Sequence, residues 1–183
     1  MTRRTCAVAL GLAIAACTWP SAAQSPYELS PEHDVPAFLI AGAATMIAFV
    51  EQPPPPCLAV GCDPQDINAF DRPAVHNYSP TLRTAADVML FSLLGLPLAL
   101  DLIDSGGDGY LTDMAIYGQV LLVTQGLTQI VKKSVRRPAP FVYDDRAPLD
   151  ERLHGADAPG AFWSGHAATA FSAATSYTLT YWL

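Results

Sequence analysis

Charge is scarce in this sequence, and positive charge is the scarcer kind. Only 15% of the 183 residues are charged, and 10 basic side chains stand against 17 acidic ones, which gives a net charge of −7. A general nucleic-acid-binding protein shows a basic excess, so we expect no nucleic-acid partner. The low charge content also argues against an intrinsically disordered chain.

The N-terminal apolar run is too short to cross a bilayer. Residues 6–16 provide 11 apolar positions, whereas a membrane-spanning helix needs about 20. The run follows Arg3 and Arg4 and precedes the small residues 21–23, so we predict that residues 1–23 are a signal peptide cleaved after Ala23. In an alternative interpretation, a lipobox places a lipid on Cys17. Both interpretations predict an exported protein that is periplasmic or membrane-associated.

Cysteine is also rare. Of four cysteines, two fall in the predicted signal peptide, and Cys57 and Cys62 remain beside a run of four prolines at 53–56. An isolated pair in an oxidising compartment predicts a local Cys57–Cys62 disulfide. A metal site would need further ligands, and no histidine is near this pair in sequence.

Strand-like alternation of polar and apolar residues is missing over any useful length, and four apolar stretches with helical character are present instead. We expect Pro36 at the start of the first helix and a kink at Pro97 in the second. The predicted fold class is all-α, a helical bundle, in which residues 24–67 form an N-terminal region with the proline-rich disulfide loop. The four predicted helices are residues 36–50, 81–104, 111–135 and 165–183.

Polar residues interrupt these apolar stretches. The second contains Asp87 and Asp101, and the third carries several glutamines and threonines along its length. These residues favour helices buried in a compact bundle over helices that face lipid. Membrane association stays open, because borderline helices also insert in polytopic membrane proteins.

Two short segments concentrate the chemistry. Residues 132–137 place four basic side chains, among them Lys132 and Arg137, at the end of the third helix. Such cations can complement a helix dipole, flank a membrane helix, or bind an anion such as phosphate. Residues 164–166, Ser-Gly-His, open the fourth helix, where free backbone N–H groups suit an anion and Ser164 can cap the helix.

The two segments together resemble the type 2 phosphatidic acid phosphatase and vanadium haloperoxidase superfamily. Lys132 begins the first motif of that family, and Ser164, Gly165 and His166 match the second, with Trp163 where proline is usual. The resemblance covers residues 68–183 and implies a phosphatase domain of the family's helical type. It implies hydrolysis of a phosphomonoester or a lipid (di)phosphate without a metal or other cofactor, with vanadate as a phosphate mimic.

The resemblance also assigns roles to residues. Lys132 and Arg137 would bind phosphate, Ser164 and Gly165 would line its oxygens, and His166 would be the general acid that protonates the leaving group. The implied partner is a phosphorylated small molecule or a lipid head group. Such transition states need charge neutralisation and alignment, which these residue types supply.

Two departures from the family pattern stand out. Ala139 lies where the first motif has arginine, with Arg137 two residues earlier as a partial substitute. The third motif, which supplies the nucleophilic histidine and its aspartate, is absent, since no histidine or arginine follows His166. We therefore expect a chain that is incomplete at its C-terminus, ending inside the fourth helix. The alternatives are a non-catalytic relative that binds a phosphorylated ligand or serves structurally, and a vanadate-dependent haloperoxidase.

Overall fold

A computed structural model describes residues 26–59, 62–105, 109–155 and 157–182. The predicted signal peptide, with Cys17, lies outside these residues. The described part of the chain is helical and holds no β-strand, which confirms the all-α prediction. Its α-helices are α1 (Pro31–Met46), α2 (Pro80–Ser105), α3 (Tyr110–Val135), α4 (Leu149–His154) and α5 (Gly165–Trp182), and short 3-10 turns lie at Ile47–Phe49, Pro56–Ala59, Arg72–Ala74 and Pro140–Tyr143.

The first helix begins earlier than the sequence predicted. Ser30 precedes it, and the backbone N–H groups of His33 and Asp34 both donate to the Ser30 carbonyl, at 2.9 and 2.8 Å. Pro31 takes the first helical position, where a missing N–H costs nothing. Pro36 therefore lies inside α1 and does not start it. Pro97 likewise lies inside α2.

Helix α3 is the centre of the bundle, since both α1 and α5 pack along it and α2 packs mainly against α5. Gly126 permits the close approach of α1. A Cβ atom at Gly126 would lie 2.8 Å from the Cβ of Ala44, closer than real side chains come. The Thr45 hydroxyl lies 3.1 Å from the Leu122 carbonyl oxygen across the same contact.

The expectation that all the apolar helices are buried is wrong, and the departure is largest for α2. Phe91 is 70% exposed and Ile103 is 78% exposed, because α2 has one main neighbour and the rest of its circumference is uncovered. The segments Pro80–Ile103 and Tyr110–Tyr143 are long and apolar enough to cross a membrane by length and composition. The two apolar helices therefore allow membrane association.

The predicted Cys57–Cys62 disulfide is confirmed. Both cysteines pack against a small buried cluster formed by Ala139, Val142 and Ala158. These three residues belong to the connection between α3 and α5. The disulfide loop therefore supports the segment that joins the two motifs, and it suits an oxidising compartment.

Candidate anion site

The C-terminal end of α3 presents Lys132. The helix ends in a left-handed turn at Arg136, with φ of 50°, whose N–H donates to the Lys132 carbonyl at 2.9 Å. The Lys132 side chain is only 15% exposed, and its Nζ donates to Asp157 Oδ1 at 2.6 Å. The neighbouring Lys133 points elsewhere, because its Nζ donates to the carbonyl of Val50.

The N-terminal end of α5 is capped as the sequence predicted. Ser164 Oγ accepts the N–H of Ala167 at 3.3 Å, and the Ser164 carbonyl accepts the N–H of Ala168 at 3.0 Å. A hydroxyl that accepts one hydrogen bond still has its own proton to donate. The first turn of α5 thus offers the Ser164 hydroxyl, backbone N–H groups and the positive end of the helix dipole.

Lys132 and Gly165 lie next to each other in space. A Cβ atom at Gly165 would lie 3.9 Å from Lys132 Nζ and 3.7 Å from the Cγ2 of Thr128. Because Gly165 has no side chain, the ammonium group comes directly beside the backbone of the first turn of α5. The two segments that the sequence singled out therefore meet, and a cation is combined with a helix N-terminus.

Trp163 helps to fix this meeting point. Its indole Nε1–H donates to Thr128 Oγ1 at 2.8 Å, and Thr128, fully buried, donates its own hydroxyl to the Thr124 carbonyl at 2.7 Å. Thr128 lies one helical turn before Lys132, so both residues share a face of α3. Deeper along the same interface, Gln125 donates to the hydroxyl of Thr169 on α5.

Arg137 is held mainly by the N-terminal part of the chain. Its guanidinium forms an ion pair with Asp71, which also accepts from Asn68 Nδ2 at 2.7 Å. The guanidinium lies 6.0 Å from the ring centroid of Phe162. The backbone carbonyl of Arg137 accepts the N–H of Ala161 at 2.8 Å. Arg137 therefore contacts the loop that leads into α5, while its charge is paired with Asp71.

Ala139, which the resemblance aligns with the arginine of the first motif, is buried and faces the interior. The residue is 4% exposed and belongs to the cluster with Val142 and Ala158. Its N–H donates to the Ala158 carbonyl at 3.0 Å. This backbone bond draws the segment after α3 against the segment before α5.

His166 turns towards α2. Its Nε2 lies 2.7 Å from Asp87 Oδ1, and both side chains are about half exposed. Gly165 contacts α3 on one side of α5, whereas His166 contacts α2 on another. The structure thus brings Lys132, Gly165 and Ser164 to one place and gives His166 an aspartate partner beside it.

A buried carboxylate stiffens the connection after the first motif. Asp144 is 2% exposed and receives hydrogen bonds from the Arg146 side chain at 2.9 and 3.0 Å. These bonds lower the pKa of Asp144 to about 2, against the opposing effect of burial. Arg146 also donates to the carbonyl of His76, which ties this connection to the segment before α2.

Residues 113–183 match the sequence profile of the PAP2 superfamily. The match includes α3 from Asp113 onwards, both motifs and α5, and it confirms the resemblance predicted from the sequence. No curated protein and no solved structure matches the chain.

Three acidic residues at the site escaped the sequence analysis. Asp157, Asp71 and Asp87 pair with Lys132, Arg137 and His166, respectively. Sequence separations of 25, 66 and 79 residues conceal these pairs. Asp71 and Asp157 also lie outside the helices, where side chains carry no spacing pattern. The i, i+4 placement of Thr128 and Lys132 on α3 was the one available indication that Thr128 lies at the site.

Proposed function

We propose that this chain, which matches the PAP2 superfamily over residues 113–183, binds the phosphate group of a phosphomonoester or of a lipid (di)phosphate between Lys132 and the first turn of α5. The observation that carries the proposal is the position of Lys132 Nζ, 3.9 Å from the Cβ site of Gly165. The lysine supplies a full positive charge. The helix supplies N–H donors and its dipole, and this combination favours a phosphate.

His166 is proposed as the general acid that protonates the leaving oxygen. It follows Gly165 directly, and Asp87 Oδ1 lies 2.7 Å from its Nε2 as the acceptor of the Nε2–H, so Nδ1 is the nitrogen left for a substrate. To act as the acid, Nδ1 must also carry a proton, which requires the doubly protonated imidazolium form of the ring. In the superfamily mechanism a second histidine attacks phosphorus, and the 183 residues hold no histidine after His166. Phosphate binding and protonation of the leaving oxygen are therefore the steps that we assign to residues of this chain.

One observation favours the alternative of a non-catalytic phosphate-binding relative. The position that holds arginine in the family is the buried Ala139, and the nearby Arg137 is already paired with Asp71. A transition state with developing charge needs more cations than a bound ground-state phosphate does. Lys132 as the main cation is sufficient to bind a phosphate, but one cation stabilises the charge of a phosphoryl-transfer transition state only weakly.

Titration of the protein with phosphate or vanadate, by calorimetry, tests the proposal. Lys132→Ala is expected to weaken binding about tenfold or more, since it removes a charge-assisted hydrogen bond. Lys133→Ala is the matched control, because it removes the same charge from a side chain that contacts Val50 instead. Equal affinities for the wild type and Lys132→Ala would remove the basis of the proposal.

A further inference from the structure

Each basic side chain of the proposed site already has a carboxylate partner from another segment. Lys132 pairs with Asp157, and His166 pairs with Asp87 on α2. Arg137 pairs with Asp71, which is held by Asn68. A phosphate that enters the site therefore competes with carboxylates that belong to the chain.

Asp157 is the carboxylate that a ligand meets first. Its side chain is 58% exposed, whereas the Lys132 side chain, whose Nζ it contacts at 2.6 Å, is 15% exposed. The carboxylate thus lies on the solvent side of Lys132. The ammonium group has three N–H donors, so a phosphate at Nζ binds beside Asp157, competes with it for the positive charge and can displace it from this contact.

The backbone keeps Asp157 close to the site after such a displacement. The next residue, Ala158, is fully buried, its N–H donates to Gly155 at 2.9 Å, and its carbonyl accepts the N–H of Ala139 at 3.0 Å. The Asp157 carbonyl accepts the N–H of Gly160 at 3.2 Å. Gly160 itself is against Lys132, since a Cβ there would lie 3.4 Å from the lysine Cβ.

We propose that Asp157 determines the specificity of the phosphate site, and selects phosphoesters that carry a positively charged group a few atoms from the phosphate. The inference rests on the proposed phosphate site at Lys132. A bare anion separates Asp157 from its partner and leaves a carboxylate beside the bound phosphate, which is repulsive. An ammonium group on the ligand takes the place of the lysine as the partner of Asp157.

The test compares two ligands of nearly the same size. Phosphoethanolamine carries an ammonium two carbons from its phosphate ester oxygen, and propyl phosphate has a methyl group in that place. The wild type is expected to bind phosphoethanolamine about threefold to fivefold more tightly, the range of a partly exposed ion pair. Asp157→Asn is expected to bind propyl phosphate more tightly than the wild type does and to lose the preference.

Asp145→Asn is the matched control, because it makes the same charge change in an ion pair with Arg152 while its carboxylate is 96% exposed. It should retain the preference for phosphoethanolamine. Equal binding of the two ligands by the wild type, or an unchanged preference in Asp157→Asn, overturns the inference. Lys132→Ala separates the two proposals. If it loses both ligands while the wild type shows no preference, only the specificity inference fails, and if it binds both normally, the phosphate site itself is wrong.

Discussion

Trp163 and Thr128 are joined by a 2.8 Å hydrogen bond from the indole N–H to the threonine hydroxyl. The bond links the residue before the Ser-Gly-His segment to the buried face of α3, one turn before Lys132. It fixes the position of the start of α5 along the axis of α3. Trp163 stands where the family usually has proline, so a specific side-chain contact here positions the segment that leads into the helix.

Thr128→Val is expected to lower the free energy of unfolding by about 1–3 kcal/mol, because the part-buried indole N–H of Trp163 loses its hydrogen-bond acceptor. Thermal unfolding measures this change. Thr178→Val on α5 is the control, since its exposed hydroxyl donates to the Ala174 carbonyl of its own helix at 2.7 Å. Equal losses of stability for the two variants would contradict a structural role for the Trp163–Thr128 bond.

Gly126→Ala is expected to lower stability by about 1–3 kcal/mol, through overpacking of the α1–α3 contact, where the new Cβ would meet Ala44 at 2.8 Å. Gly118→Ala lies on the same helix, where a new Cβ meets nothing within 4 Å. It should stabilise the protein by up to about 1 kcal/mol, because alanine favours a helix over glycine. Chemical denaturation compares the two variants, and a stabilising Gly126→Ala would show that α1 does not pack closely on α3.

The contribution of Asp144 to the free energy of unfolding depends on pH. Its pKa is lowered to about 2 in the folded protein from an ordinary value of 3.8, so its contribution is fully present above pH 3.8 and is lost as the pH falls towards 2. Asp144→Asn should lower stability at neutral pH by about 1.5–3 kcal/mol, the range for hydrogen bonds to charged groups. The difference from the wild type should shrink between pH 4 and pH 2.

Asp145→Asn, at the next position, is the control for this experiment because the Asp145 carboxylate is 96% exposed. It should leave the unfolding free energy nearly unchanged across the same pH range. Unfolding curves recorded at several pH values decide the matter. A constant difference between Asp144→Asn and the wild type down to pH 2 would contradict the assigned cause.

The sequence predicted α2, α3 and α5 within one or two residues, because their apolar stretches are long and are bounded by clear breaks. It also predicted the disulfide and the capping role of Ser164, which depend on local chemistry. It misplaced the start of α1, since Pro36 and Pro31 both suit a first turn. In the structure the Ser30 carbonyl accepts the N–H groups of His33 and Asp34, and the Asp34 carboxylate accepts the Ser30 N–H at 2.6 Å, so the first turn begins at Pro31.

The ion pairs of the site could not be predicted from sequence. Asp157 reaches Lys132 only because the connection after α3 folds back through the backbone bond between Ala139 and Ala158. Burial of α2 was wrongly expected for a related reason. Hydropathy gives the apolar content of a helix, whereas the number of helices that pack against it depends on the tertiary arrangement.

The central claim is that Lys132 and the first turn of α5 form one anion site. Its most direct test is an NMR titration of the isotopically labelled protein with inorganic phosphate, in which the Gly165 backbone amide and the Lys132 side-chain resonances are followed together. Both are expected to shift with the same dissociation constant, and the Gly165 shift is expected to disappear in Lys132→Ala. Shifts with different dissociation constants, or a Gly165 shift that persists in that variant, would contradict the claim.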